Sequence, residues 1–216
     1  MAFAGIPHAA VDFYRELELN NTREWWLANK RRYDELIREP MLALADLVEP
    51  VFGETKVFRP NRDVRFSHDK SPYKTHQGVF VKTISRAGWY FQVDAEGIRM
   101  GGGSYAFAPD QLAAYRAAVA DDVHGARLER LVDELAAAGY QVGGEQLATR
   151  PRGVAVDALR LDLLRRKALN VMLPLGEPDW MATPELADYV HDSWDEVRPL
   201  VEWLDDCVGE TSYSER

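Results

Sequence analysis

The chain has 216 residues, is 46% hydrophobic and 28% charged, and carries a net charge of −9. This composition is that of a globular protein, and it excludes disordered and fibrous classes. An acidic balance argues against non-specific nucleic-acid binding, no stretch reaches the ~20 apolar residues of a membrane-spanning helix, and a single cysteine, Cys207, excludes a disulfide framework.

In chain order, "AAVDFYRELE" (9–18) predicts a short helix with Val11, Tyr14 and Leu17 on one side. His8 and Asp12 interrupt the apolar residues near the start, so no secretory leader is expected and a cytoplasmic location follows. "NNTREWW" predicts a second helix with Asn21 as N-cap and Glu24 three residues on. That helix should bury Trp25 or Trp26, Tyr33, and Leu36 or Ile37. Pro40 should end or kink it, because proline lacks the N–H and clashes with the preceding turn. "MLALADLVEPVFG" predicts a largely buried helix stopped by Gly53.

Residues 78–102 change period. "GVFVKTI", "GWYFQVDA" and "IRMGG" are rich in β-branched and aromatic residues and are separated by the turns "SRAG" and "AEG". They predict an antiparallel three-strand meander that needs helices to cover a face. Helices follow from Pro109 and across "HGARLERLVDELAAAG", the latter closed by Gly139. A strand is expected near 168–175. A long C-terminal helix is expected with Thr183 as N-cap and Pro184 as its first residue. Strands and helices are segregated, which predicts an α+β fold in one domain (1–208), with 209–216 as a flexible tail.

The most unusual segment is "VFRPNRDVRFSHDKSPYKTH" (57–76). From Lys56 to His76, Lys56, Arg59, Arg62, Arg65, Lys70 and Lys74 outweigh Asp63 and Asp69, giving +4 locally and −13 for the remainder. One reading is a solvated loop with local ion pairs, Arg62–Asp63 and Asp69–Lys70. Phe58, Phe66 and Tyr73 argue for a segment packed onto the core instead. Arg62, Arg65, Lys70 and Lys74 would then form a pocket for a small phosphorylated or carboxylated anion. Asp63 would orient an arginine or act as a base, and Tyr73 would serve as a proton donor. A different class of function, docking of an acidic partner protein, uses the same charges. "MGGGSYAFAP" (100–109) joins a strand to a helix, and Gly102 and Gly103 are candidates for close backbone approach to the ligand. Neither G-x-G-x-x-G nor a P-loop is present, so the glycines are not a nucleotide fingerprint, and the sequence names no cofactor. His68, Asp69 and His76 lack a metal-ligand spacing, so no dedicated metal site is expected, and a ligand binding here is either metal-independent or brings Mg²⁺ with it. Cys207, beside Asp205 and Asp206, is read as an ordinary helix residue.

"NNTREWWLANKRRYDELIREP", "RDVRFSHDKSPYKTH", "WYFQVDAEGIRMGGGSY" and "PRG" together resemble an uncharacterised, mostly bacterial family, domain of unknown function 2461, over about residues 10–204. The core of the resemblance is Arg62 to Lys74. It implies a single α+β domain of this length. It implies no reaction, cofactor or catalytic residue.

Overall fold

The structure, a computed structural model, describes residues 3–63 and 69–213. Helix α1 (Ala9–Leu19) buries Ala10, Phe13, Tyr14 and Leu17, the spacing of one helical face. Helix α2 (Arg23–Tyr33) is capped by Thr22, whose hydroxyl accepts the Trp25 N–H at 3.2 Å. The expected cap, Asn21, is used elsewhere, as described below. Of the two adjacent tryptophans Trp26 is the buried one, and Tyr33 and Ile37 are buried with it.

Pro40 does not end the helix. A π turn (Asp34–Arg38), in which the Glu39 N–H reaches back to the Asp34 carbonyl, leads directly into α3 (Glu39–Phe52). The wider turn places Pro40 in the first turn of α3, where its missing N–H costs no helical hydrogen bond. Gly53, at φ 106°, stops α3.

The expected meander is present as β2 (His76–Lys82), β3 (Gly88–Asp94) and β4 (Gly97–Ser104), together with β6 (Leu169–Gly176). Two three-residue strands, β1 (Thr55–Val57) and β5 (Gln141–Gly143), complete a six-stranded antiparallel sheet in the order β1-β2-β3-β4-β6-β5. β1 pairs with β2 through Lys56 opposite Phe80, and β5 with β6 through Val142 opposite Val171. The remaining helices are α4 (Pro109–Ala120), α5 (Asp122–Ala137), the single-turn α6 (Leu161–Leu164) and α7 (Leu186–Cys207). The fold is α+β. α7 starts later than the sequence suggests. Thr183 closes a turn, accepting the Leu186 N–H through its carbonyl, and regular helix begins only after Pro184 and Glu185.

Contacts divide the chain into two units. The first comprises Met1–Val81, Tyr90–Met100 and Pro174–Asp192. Its core joins Phe13, Tyr14, Trp26, Tyr33, Ile37 and Met41 with Val79, Phe91 and Val93. Each such side chain contributes about 1.5–3 kcal/mol on burial. Gly97 of β4 lies so close to the Gly176 carbonyl of β6 that no Cβ fits between them.

The second unit comprises Lys82–Trp89, Gly101–Leu173 and Ser193–Arg216. Tyr115 and Trp203 meet edge to face at 6.1 Å, and the Trp89 indole N–H donates to the Trp194 carbonyl at 2.8 Å. Gly101 and Gly103 lie against the Val171 and Leu169 carbonyls of β6, again with no room for a side chain. Residues 209–213 are attached to the start of α4. The Asp110 carboxylate accepts from the Thr211 hydroxyl (2.7 Å) and from the Ser212 N–H and hydroxyl (2.8 and 2.9 Å). The Arg86 guanidinium donates to the Tyr213 carbonyl at 2.9 Å. Among the described residues no helix is long and apolar enough to cross a membrane.

Candidate functional site

The basic segment continues the β1–β2 pairing outward as two arms. The Phe58 N–H donates to the Gly78 carbonyl (3.1 Å), Lys74 N–H to the Pro60 carbonyl (2.8 Å), and Arg62 N–H to the Pro72 carbonyl (2.9 Å). Asn61 and Tyr73 form an isolated antiparallel bridge. Pro60 and Pro72 serve as acceptors here, the one backbone role open to proline.

Three side chains fix the arms to the first unit. Asn21 spans the backbone of Tyr73 as a neighbouring strand would: its Nδ2 donates to the Tyr73 carbonyl (2.9 Å) and its Oδ1 accepts the Tyr73 N–H (3.1 Å). This is why Thr22, and not Asn21, caps α2. The Tyr73 ring is buried and stacked on Trp26, with centroids 4.1 Å apart and planes 12° from parallel. Gln77, itself buried, donates to the Phe58 carbonyl (2.5 Å) and accepts from the Tyr33 hydroxyl (2.6 Å).

Cations collect around one ring on this support. The Lys74 ammonium is 5.2 Å from the centre of the Phe58 ring, and the Lys56 ammonium is 5.6 Å from the same ring. Burial holds the Lys74 pKa below the ordinary lysine value, and the charges of Arg59, Lys56 and Arg62 lower it further. His76, next along the arm, is likewise depressed by burial and then by Lys74. Both shifts have the same physical cause: a cation is costly where water is partly excluded and like charges crowd.

Arg62 is paired with Asp69 across the segment, where the local reading looked to its neighbour Asp63. Among the described residues, Lys56, Arg59 and Lys74 have no carboxylate within ion-pair distance.

Of the residues singled out from sequence, Arg62 and Lys74 bear on this cluster. Asp63 and Lys70 are exposed on the outer part of the same segment, and each makes interactions of its own. Arg65, with Phe66 and His68, lies outside the described residues. Tyr73 is under the arms as packing. Gly102 and Gly103 are buried in β4, where neighbouring backbone occupies the space that a side chain would need. A Cβ on Gly102 would lie 2.6 Å from the Gly88 carbonyl oxygen, and one on Gly103 2.6 Å from the Asn170 Cα. Sequence reasoning left Lys56, Arg59, the Phe58 platform and His76 out of the site. The available signal was the i, i+2 spacing of Lys56 and Phe58, which puts both on one face of an extended strand.

Two cavities among the described residues also carry arginines. One of about 120 Å³ is lined by Glu18, Thr75, His76, Asp94, Ala95, Glu96 and Arg99. Its guanidinium is already committed to Asp94 (2.8 Å) and Glu96 (2.9 Å). The other, about 410 Å³, includes Arg116, Val154, Leu159 and Arg160. Both arginines donate to backbone carbonyls there, Arg116 to Leu164 and Arg160 to Val119 and Asp121. Elsewhere, burial and then Asp206 raise the Cys207 thiol pKa, which disfavours a thiolate. Among the described residues no group of three His, Cys, Asp or Glu is placed to hold a metal ion.

The model of the family described as conserved hypothetical protein (DUF2461) matches residues 9–203. The chain belongs to that family. No curated protein and no solved structure gives a significant match. The description of the DUF2461 family names no activity.

Proposed function

We propose that the segment 56–76 binds a small anionic ligand, a phosphorylated or carboxylated compound, at the cluster of Lys56, Arg59, Arg62 and Lys74. One observation carries the reading. Lys74 is half-buried with its ammonium disfavoured, and the groups responsible, after burial itself, are three other cations. A fold that holds like charges together on a fixed support pays for the repulsion until an anion enters. Arg59 and Arg62 would supply planar donors to the ligand, and the lysines would supply compact charge. The arms are held by Asn21, Gln77 and the Tyr73–Trp26 stack, which provides the rigidity a binding site requires. The reading is one of binding, and it assigns Tyr73 to support and no proton transfer to Asp63.

The test is thermal unfolding in phosphate against chloride at matched ionic strength. A hundredfold excess over Kd stabilises by about 2.7 kcal/mol, which for a chain of this size raises Tm by roughly 5–11 °C. Lys74→Ala and Arg59→Ala should each remove most of that rise. Equal responses to phosphate and chloride, or an undiminished phosphate response in both variants, would refute the reading. Stabilisation by an acidic peptide and not by phosphate would point instead to a docking surface.

A further inference from the structure

We propose that the outer face of the sheet beside the cation cluster binds a nucleoside monophosphate, its planar base stacked on Tyr90 and its phosphate held by Lys56, Arg59 and Lys74. The inference rests on the anion reading above and names the ligand class of that same site.

Alternation along the strands sets one side of the sheet against the core and turns the other away from it. Val79 and Val81 of β2 and Phe91 and Val93 of β3 are buried, whereas Phe80 of β2 and Tyr90 and Gln92 of β3 are partly exposed. Lys56 lies directly opposite Phe80 in the β1–β2 register, so it stands on the same outer side. Phe58, two residues on, shares that side. The Phe58 and Tyr90 rings meet there, with centroids 6.4 Å apart and planes tilted by 57°.

Tyr90 has the construction of a floor. A Cβ on Gly78 of β2 would lie 2.5 Å from the Tyr90 hydroxyl oxygen and 2.6 Å from a carbon of its ring. The missing side chain lets the ring lie against the β2 backbone, covering Gly78, while the ring itself stays partly exposed. The Tyr90 hydroxyl donates to Gln92 Oε1 (2.7 Å), and Gln92 Nε2 donates to the Asp94 carboxylate (2.6 Å). The ring is thus oriented before a ligand arrives, and little side-chain freedom is lost on stacking.

The cations lie at the edge of this aromatic surface. The Lys74 and Lys56 ammoniums, 5.2 and 5.6 Å from the centre of the Phe58 ring, are within cation–π range, which favours their charged forms and holds them beside Phe58. Phe58 is all that separates these charges from Tyr90. A planar ring and an anionic group joined by a spacer of about that width match the arrangement, and a base, a pentose and a 5′-phosphate are such a molecule. Stacking accepts any base, so purine and pyrimidine nucleotides should both bind. The net charge of −9 opposes a long polyanion, so the occupant is a single nucleotide and not a strand.

The experiment titrates the full chain by calorimetry with adenosine 5′-monophosphate, ribose 5-phosphate, adenosine and a single-stranded oligoadenylate. Adenosine monophosphate should bind at least about fivefold more tightly than ribose 5-phosphate, the lower end of what one stacked base contributes. Tyr90→Leu removes the ring, and Gly78→Ala keeps it but lifts it off the sheet. Both should abolish that margin while retaining the affinity for ribose 5-phosphate, and Tyr90→Phe should keep most of it. Equal affinities of the wild type for adenosine monophosphate and ribose 5-phosphate, with the Tm response to inorganic phosphate intact, overturn the base platform and leave the anion site standing. A margin that survives in both Tyr90→Leu and Gly78→Ala also overturns it. Adenosine bound as tightly as its monophosphate, with no Tm response to phosphate, refutes the anion reading and the nucleotide with it. Oligoadenylate bound more tightly per nucleotide than the monophosphate overturns the assignment to a single nucleotide.

Discussion

Replacing Asn21 by alanine tests the claim that the basic arms are held as one rigid support. The substitution removes two hydrogen bonds to the Tyr73 backbone, at 2.9 and 3.1 Å, and leaves the N–H and carbonyl of a buried residue without those partners. Each bond is worth about 0.5–1.5 kcal/mol net, so the expected loss is about 2 kcal/mol, or roughly 4–8 °C in Tm for a chain of this length. The change should also be local. The Arg62 and Lys74 amides, which donate to Pro72 and Pro60, should exchange with solvent faster, since the bridge between Asn61 and Tyr73 is no longer braced. Asn20→Ala is the control. Asn20 Nδ2 donates to the Glu16 carbonyl in a solvent-exposed bond, and its loss should fall within about 0.5 kcal/mol. Calorimetry and amide exchange on the three proteins decide the matter. An Asn21→Ala protein that melts with the wild type and protects Arg62 and Lys74 equally would show that the clamp is incidental.

Further expectations follow from other parts of the chain. Gly97→Ala combines a φ of 113° with a Cβ driven into the Gly176 carbonyl, and should destabilise by more than about 1 kcal/mol in urea unfolding, or prevent accumulation of folded protein. Asp110→Ala should free residues 211–213, read as faster amide exchange at Ser212 and earlier carboxypeptidase digestion. Desolvation raises the Asp110 pKa, but hydrogen bonds from Ser212 and Thr211 outweigh it and leave the carboxyl below the ordinary aspartate range. A carboxyl depressed on folding keeps its contribution above the unfolded value and loses it only as pH falls through the folded one. Protection of Ser212 should therefore be unchanged from neutral pH down to about 4, and a loss of protection above that would contradict the assignment. Trp26→Ala, which removes the plate beneath Tyr73, should cost about 3–5 kcal/mol by equilibrium denaturation.

How far the sequence reveals this molecule depends on the range of the interactions involved. The meander was legible because alternation and turn glycines are written locally, in "GVFVKTI", "GWYFQVDA" and the turns between them. β1 was not, because "TKV" is too short to show a period and is a strand only by virtue of β2 beside it. Asn21 and Thr22 are both good caps, and a tertiary demand from Tyr73, fifty-two residues away, determines which is used. Pro40 reads as an end or a kink from local rules, and a π turn is what lets the helix pass it. In the candidate site, the charge excess drew attention to the segment 57–76. The pairing of Arg62 with Asp69 and the gathering of Lys56 and Lys74 on Phe58 depend on how the arms fold back, which spacing alone does not encode.

The glycines along β4 have a consequence for how the chain reaches its fold. Gly97, Gly101 and Gly103 each face a carbonyl of β6 with no space for a side chain, yet the two strands are remote in sequence and must find one another late. Sliding β4 by two residues would keep its faces correct but bring Arg99 to a position that admits only hydrogen. The strand thus behaves as a key with cut notches: misaligned pairings are rejected by collision rather than merely disfavoured by lost contacts, and an encounter between β4 and β6 in the wrong register should dissociate before the rest of the sheet can close around it.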